Sequence, residues 1–332
     1  WWLVGGLTQV DLAKNSIGEW RFAILYLTVS IGFAAVLRNK LPWPRLNWLI
    51  GFAALLGLAL VFAADDEYGA PLAPPTLLAW LAYAAAMAWA LWSAAGMRAR
   101  SLVVAHLAGL WTIALAASMQ MKDIVDANAL AEGWEFLAVV APVALMTLGL
   151  WRRASLLAWP RAQEFAGYRV GWYGLALPIL CWAFVAGLFL GGDPAPLAYL
   201  PVLNPLELAL LAIGGLLYAI AGEFSLTRTL RKGWPLVGFA FATMATLRAV
   251  HHLHLEPWSP QILDSGFSQA SLTVVWSLLG VGSWVLGSRR HNRQVWWGGA
   301  VLMGIVLLKL ITVDRGYMGN MPGIISFIAV GL

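Results

Sequence analysis

The chain has 332 residues, of which 61% are hydrophobic and only 11% charged, against about 25% charged in typical soluble proteins, so an ordinary soluble fold is excluded. Its net charge is +5, yet the basic residues are spread in small groups along the chain, which excludes the continuous basic surface that nucleic acid requires. One cysteine, Cys181, lies inside an apolar run, so neither an intrachain disulfide nor a multi-cysteine metal site can form.

A helix that crosses a bilayer needs about 20 mostly apolar residues. In chain order this predicts a partial span over 1–10, which reads as the tail of a helix already under way. Ten complete spans follow, at 20–37, 47–64, 76–96, 101–119, 134–151, 170–190, 204–224, 234–252, 269–288 and 294–313, and a last partial span begins at Pro322. Residues 1–332 are expected to form a single transmembrane helical region, and the chain is expected to be a fragment of a longer protein. No stretch alternates polar and apolar residues between hairpin turns as a barrel would, and helices are the other way to satisfy backbone groups in lipid. The expected fold class is therefore all-α, a polytopic transmembrane protein.

Charge alternates along this series. Fifteen of the 21 Lys and Arg fall in five connections: Arg38/Lys40/Arg45, Arg98/Arg100, Arg152/Arg153/Arg161/Arg169, Arg228/Arg231/Lys232 and Arg289/Arg290/Arg293. Only Glu164 and Glu223 accompany them, so this side sums to +13. The alternate connections hold the other six basic residues with 14 of the 16 acids, a sum of −8. Short basic loops stay in the cytoplasm, so the Arg turns are expected inside and the acidic connections outside. Many of the 20 Trp flank the apolar runs, among them Trp43, Trp48, Trp134, Trp151, Trp234, Trp296 and Trp297, as interfacial belts do.

The spans pair into hairpins that enter from the acidic side and turn at Arg. Residues 76–123 and 271–314 follow one pattern: a small polar start, Trp in the first helix, a basic turn, Gly in the return and a terminal acid. Residues 205–256 follow the same plan. Repeated units of this kind stack on their neighbours. The outward connections 65–75, 121–135, 191–207 and 252–269 carry Pro, Gly, aromatics and acids, and connections that long tend to carry function.

The candidate chemistry gathers on that face. The segment from Arg248 to Glu256 holds three of the five His, and His251 and His254 share a helical face. Together with Glu256 they form a possible zinc set, although the spacing matches no established zinc pattern and interfacial hydrogen bonding is the plainer role. His106 lies within a span and is read as a hydrogen-bonded core residue. Lys309 lies near a helix end, where it either snorkels to the interface or pairs with an acid such as Glu207 or Asp264. Asn204-Pro205-Leu206-Glu207 opens a helix, where a carboxylate is favoured by the helix dipole. Pro178 is the one clear breaker inside a span. No phosphate-cradling glycine loop and no nucleophile elbow is present.

The run LPVLNPLELALL, followed by RAVHHLH, SQASLTVVWSLLG and LLKLITVDRGYMGNMPGIISFIAVGL, resembles a bacterial family of multi-pass membrane proteins, domain of unknown function 2339. The phrases that carry the likeness fall on Asn204, Pro205, Arg248, His251, His252, Ser271, Trp276, Lys309, Asp314, Ser326, Phe327 and Gly331. They cover residues 198–332 well, and the first half resembles the family in style. The resemblance implies an all-helical membrane fold in a bacterial inner membrane and brings no catalytic role.

The leading expectation is an inner-membrane scaffold or binder with an outward-opening polar site formed by Arg248, His251, His252, Glu207, Lys309 and Asp314. Its ligand is expected to be anionic or amphipathic, such as a lipid or envelope glycan precursor. Membrane lipids and other membrane proteins are the expected partners, with no nucleic acid and no cofactor unless zinc is held by His251, His254 and Glu256. Two alternatives stay open: a secondary transporter of a small polar or lipid-linked solute, and a membrane enzyme using the His251/His252/His254 cluster. The enzyme reading ranks last.

Overall fold

The computed structural model describes residues 2–3, 5–7, 19–41, 43, 45–68, 72, 74, 76–93, 99–153, 159, 162–223 and 227–317. Residues 2–3 and 5–7 are helical, and no strand occurs among the described residues; ten further α-helices follow: α1 (Glu19–Lys40), α2 (Arg45–Tyr68), α3 (Thr76–Trp92), α4 (Ala99–Ala127), α5 (Glu132–Arg152), α6 (Phe165–Leu188), α7 (Pro205–Ala221), α8 (Thr227–His254), α9 (Gly266–Arg289) and α10 (Arg293–Thr312). Each of the ten expected spans falls on one of these helices, because an uninterrupted apolar run has no other way to satisfy its backbone in lipid.

The expected number of full crossings needs qualification. Among the described residues, seven of the helices are by length and composition apolar enough to cross a membrane, while α3 and α7 have only 17 residues each. Seventeen residues rise only about 25 Å at 1.5 Å each, short of a hydrocarbon core of about 30 Å. The closing partial span from Pro322, with Ser326, Phe327 and Gly331, lies outside the described residues, as do Arg98 and Arg161 in the basic turns.

The chain divides into two compact units, residues 1–130 with 134–183, and residues 131–133 with 184–332. In the first unit α1 packs against both α2 and α3, and α2 against α4, whereas the consecutive helices α3 and α4 touch little. Leu27, Ile31, Ile50, Tyr83 and Leu102 fill the core, and Ala34, Ala35, Ala53, Ala54 and Ala105 let the helices approach. Small residues serve that purpose in membranes, where dispersion contacts drive association because lipid is as apolar as leucine. The Arg turns are not topology alone. Arg38, near the end of α1, donates from Nη2 to the Ser93 carbonyl and hydroxyl, supplying the donor that the C-terminus of α3 lacks. Further along, Trp172 on α6 stacks on Trp111 of α4 with ring centres 4.5 Å apart and donates to Thr147 Oγ1 on α5 at 3.0 Å. His106 is buried edge-on against Tyr168, and among the described residues its Nδ1 has no hydrogen-bond partner.

In the second unit α9 and α10 form a hairpin packed along its length. Asn292 caps α10, accepting from the backbone N–H groups of Gln294 and Val295 at 3.1 and 3.3 Å. Gly299 brings α10 directly onto the backbone of α9 at Gly280 and Trp284. On the other side of α9, Trp276 donates to Thr243 Oγ1 of α8 at 3.0 Å. The segments 76–123 and 271–314, alike in sequence plan, therefore pack differently: the later pair closes on itself, and the earlier pair closes on α1 and α2. Among the described residues of the two segments, the close glycine contact belongs to the later pair.

Candidate functional site

Helix α6 ends at Leu188, and its last carbonyls have no partner within the helix. After a connection from 189 to 204, α7 starts with Asn204 as its cap and Pro205 in the first turn. Asn204 accepts from the Glu207 backbone N–H at 3.0 Å. The Glu207 carboxylate turns back toward the connection, where Oε1 accepts from the Tyr199 hydroxyl at 3.1 Å and Oε2 accepts from the Val202 N–H. Arg248, near the end of α8, meets both features. Its Nη1 donates to Glu207 Oε1 at 3.2 Å, Nη2 to the carbonyls of Gly187 and Leu188 at 2.9 and 2.8 Å, and Nε to that of Leu190 at 2.9 Å.

Both side chains of this ion pair are 0% exposed. Burying two charges costs several kcal/mol each unless further hydrogen bonds satisfy them, and here the helix end and the loop supply those bonds. The guanidinium also complements the negative end of the α6 dipole. Arg248 and Glu207 thus tie the end of α6, the start of α7 and the connection between them to α8.

Tyr199 joins the same network. Burial raises its phenol above the ordinary tyrosine range, the Glu207 charge and hydrogen bond raise it further, and the Arg248 charge opposes them. It remains a neutral donor through the physiological range. A raised phenol means that the folded protein holds its proton longer than the unfolded chain, so stability falls as pH rises above about 10. Tyr199→Phe is expected to flatten that part of the fall, read as melting temperature against pH from 8 to 11.

The histidines have separate partners. His252 Nε2 contacts the Gly191 carbonyl at 3.0 Å, and its ring stacks on Tyr199 with centres 4.3 Å apart. His251 Nδ1 meets the Glu256 carbonyl, and its ring lies 4.5 Å from that of His252 and 5.7 Å from that of Trp258. His254, the last residue of α8, turns to the Phe267 ring at 3.7 Å. Glu256 Oε1 accepts from Ser265 Oγ at 2.9 Å. The proposed zinc set of His251, His254 and Glu256 is therefore not brought together. Among the described residues no group of three or more His, Cys, Asp or Glu is placed to hold a metal.

Lys309 does not snorkel, and its partner is neither Glu207 nor Asp264. Its Nζ donates to Asp314 Oδ1 at 2.6 Å, Thr273 Oγ1 at 2.7 Å and the Gln269 carbonyl at 3.0 Å. Thr273 in turn donates to Asp314 Oδ2 at 2.7 Å. With side chains 10% and 2% exposed, Lys309 and Asp314 fasten the end of α10 to the first turns of α9. Asp314→Asn keeps the shape but removes the countercharge, and is expected to cost about 1–3 kcal/mol as a weakened charged hydrogen bond, read as a lower melting temperature.

The six expected site residues thus fall into two clusters, Arg248/Glu207 with His252 and neighbouring His251, and Lys309 with Asp314. Sequence reasoning missed Tyr199, Trp258, Glu132 and Gly192. Trp258 donates to the Phe189 carbonyl at 2.9 Å, and Glu132 accepts from the Gly192 N–H at 2.8 Å. Gly192 has φ +72°, and a Cβ there would sit 2.6 Å from the Leu206 side chain. The paired glycines Gly191-Gly192 before Asp193 are the sequence signal for that turn.

A family model described as a predicted membrane protein (DUF2339) matches residues 2–332, so the likeness reaches the first half of the chain as well as residues 198–332. No curated protein and no solved structure matches it.

Proposed function

Since the chain belongs to the DUF2339 family of predicted membrane proteins, we propose that it is a multi-pass scaffold or binding protein of the bacterial inner membrane. It holds an anionic or amphipathic envelope ligand, such as a lipid or lipid-linked precursor, on the outward face of its second unit. The supporting observation is the closed state of both ion pairs. Arg248, Glu207, Lys309 and Asp314 spend their charges on one another and on neighbouring protein groups. They are positioning residues. What the framework leaves half-buried is a group of rings, Tyr199, His251, His252 and Trp258. The charge asymmetry of the connections supports placing this face outward.

Mass spectrometry of the protein purified in mild detergent tests the reading. One anionic or lipid-linked species is expected to be enriched over the bulk membrane, and Tyr199→Ala with His252→Ala is expected to reduce it while helical content is kept. Co-purified lipid of bulk composition in both proteins would count against a binding role.

Transport is the second reading, favoured by the Lys309–Asp314 pair within the apolar segment Arg293–Gly316. Pro178 is not the only interior proline, since Pro142 lies inside α5 and Pro235 inside α8. Each of these helices nevertheless runs on through its proline, unlike the discontinuous helices that form many transporter sites. Proton-dependent solute flux into vesicles that disappears in Lys309→Ala would replace binding with transport.

A further inference from the structure

We propose that the connection 194–204 lies within the membrane interface, with its apolar side chains in the boundary between head groups and acyl chains of the adjacent leaflet. Long outer loops ordinarily stand in water. This one is built for a different solvent.

Its sequence, PAPLAYLPVLN, holds no Lys, Arg, Asp or Glu. Leu197, Leu200 and Leu203 are 57%, 55% and 65% exposed, and Val202 beside them is exposed too. Soluble surfaces rarely present apolar side chains so closely grouped, and such groups mark contact with membrane or protein.

The backbone is suited to the same place. Irregular backbone is penalised near lipid because unpaired N–H and C=O groups cannot reach water. In this connection the Leu197 N–H donates to the Pro194 carbonyl at 3.0 Å, and that of Leu203 donates to Leu200 at 3.1 Å. The Val202 N–H is taken by the Glu207 carboxylate. Prolines 194, 196 and 201 have no N–H to satisfy. Glu207 of the buried ion pair therefore also satisfies one backbone N–H of this segment.

Helix length favours lipid as the occupant. With 17 residues α7 rises about 25 Å, several Å less than a hydrocarbon core of about 30 Å. The segment leading into it is therefore drawn toward the interface. Leu208 and Leu211 are exposed on the first turns of α7, so the apolar surface of the span continues into Leu203 and Leu200. At the opposite end of the connection, exposed Asp193 is its nearest charge and marks the aqueous side.

Nitroxide labels test the proposal in the full chain, reconstituted into vesicles of phosphatidylethanolamine and phosphatidylglycerol. Cys181→Ser removes the native thiol, and Leu200→Cys, Leu203→Cys or Asp193→Cys each carries a label. The ratio of oxygen to nickel-chelate accessibility is expected to be several times higher at 200 and 203 than at 193. Equal ratios at all three positions would place the segment in water and overturn the proposal. Shielding of 200 and 203 from both reagents would show a protein cover, a second copy or another chain, and would overturn it equally. The unsubstituted protein provides an independent measurement, because lipids with photoreactive acyl chains should label 197–203 and leave Asp193 unlabelled. Absence of adducts in 197–203 alongside labelling of the helices would contradict it.

Discussion

Replacing Arg248 with alanine is expected to destabilise the protein by about 3–5 kcal/mol, the usual cost of removing one partner from a buried ion pair. Glu207 would lose its guanidinium partner in a site with no exposure, the carbonyls of Leu188 and Leu190 would lose their donor, and that of Gly187 would keep only the Leu190 N–H at 3.4 Å. Glu207→Leu should cost less, because the guanidinium would retain three carbonyl acceptors. Arg248→Met combined with Glu207→Leu should in turn be less harmful than Arg248→Met alone, since no lone charge remains buried. Unfolding of the parent, Arg248→Met, Glu207→Leu and the double variant in one detergent, compared as a double-mutant cycle, measures the coupling directly. An Arg248→Ala protein as stable as the parent would mean that the pair does not hold this unit together. The same variant should loosen the connection that carries Tyr199, so ligand retention should fall along with stability.

Gly299→Val is expected to be comparably severe through a different mechanism. A Cβ at this position would lie 2.5 Å from the backbone nitrogen of Trp284 and 2.7 Å from the carbonyl oxygen of Gly280. Neither obstacle is a side chain that can rotate away, so α9 and α10 must separate. Overpacking typically costs about 1–3 kcal/mol, and a backbone clash along a tightly packed hairpin belongs at the upper end, about 3 kcal/mol. The adjacent Gly298 provides the control, because nothing lies within 4 Å of a Cβ there. Gly298→Ala should leave the melting temperature unchanged or raise it slightly, since alanine favours helix by about 1 kcal/mol over glycine. Equal losses at 298 and 299 would show that helix propensity, rather than interhelical contact, governs this hairpin.

Arg248 and Glu207 could be singled out in the sequence because charges are costly inside or beside apolar segments, but their pairing could not. They are 41 positions apart, and the bond exists only because the end of α8 meets the start of α7. Lys309 makes the same point in reverse. Snorkelling was the plain expectation for a lysine near a helix end, yet Asp314 five residues on and Thr273 on α9 hold its ammonium inside. The zinc possibility rested on i, i+3 spacing. In the structure α8 stops at His254, where that ring turns to Phe267 while His251 turns to the Glu256 carbonyl.

Local composition by itself determined the all-helical membrane character, the ten helices and the alternation of basic and acidic connections. Each of these follows from what lipid and the membrane potential demand of a single stretch of chain. Only the tertiary structure decided that the expected polar site is two closed clusters and that α3 and α4 pack on other helices more than on each other. It also decided that Tyr199 and Gly192 belong to the framework around Arg248. Partners of this kind are chosen by which helix ends and surfaces come within hydrogen-bond reach, and that distance depends on every helix in the unit at once.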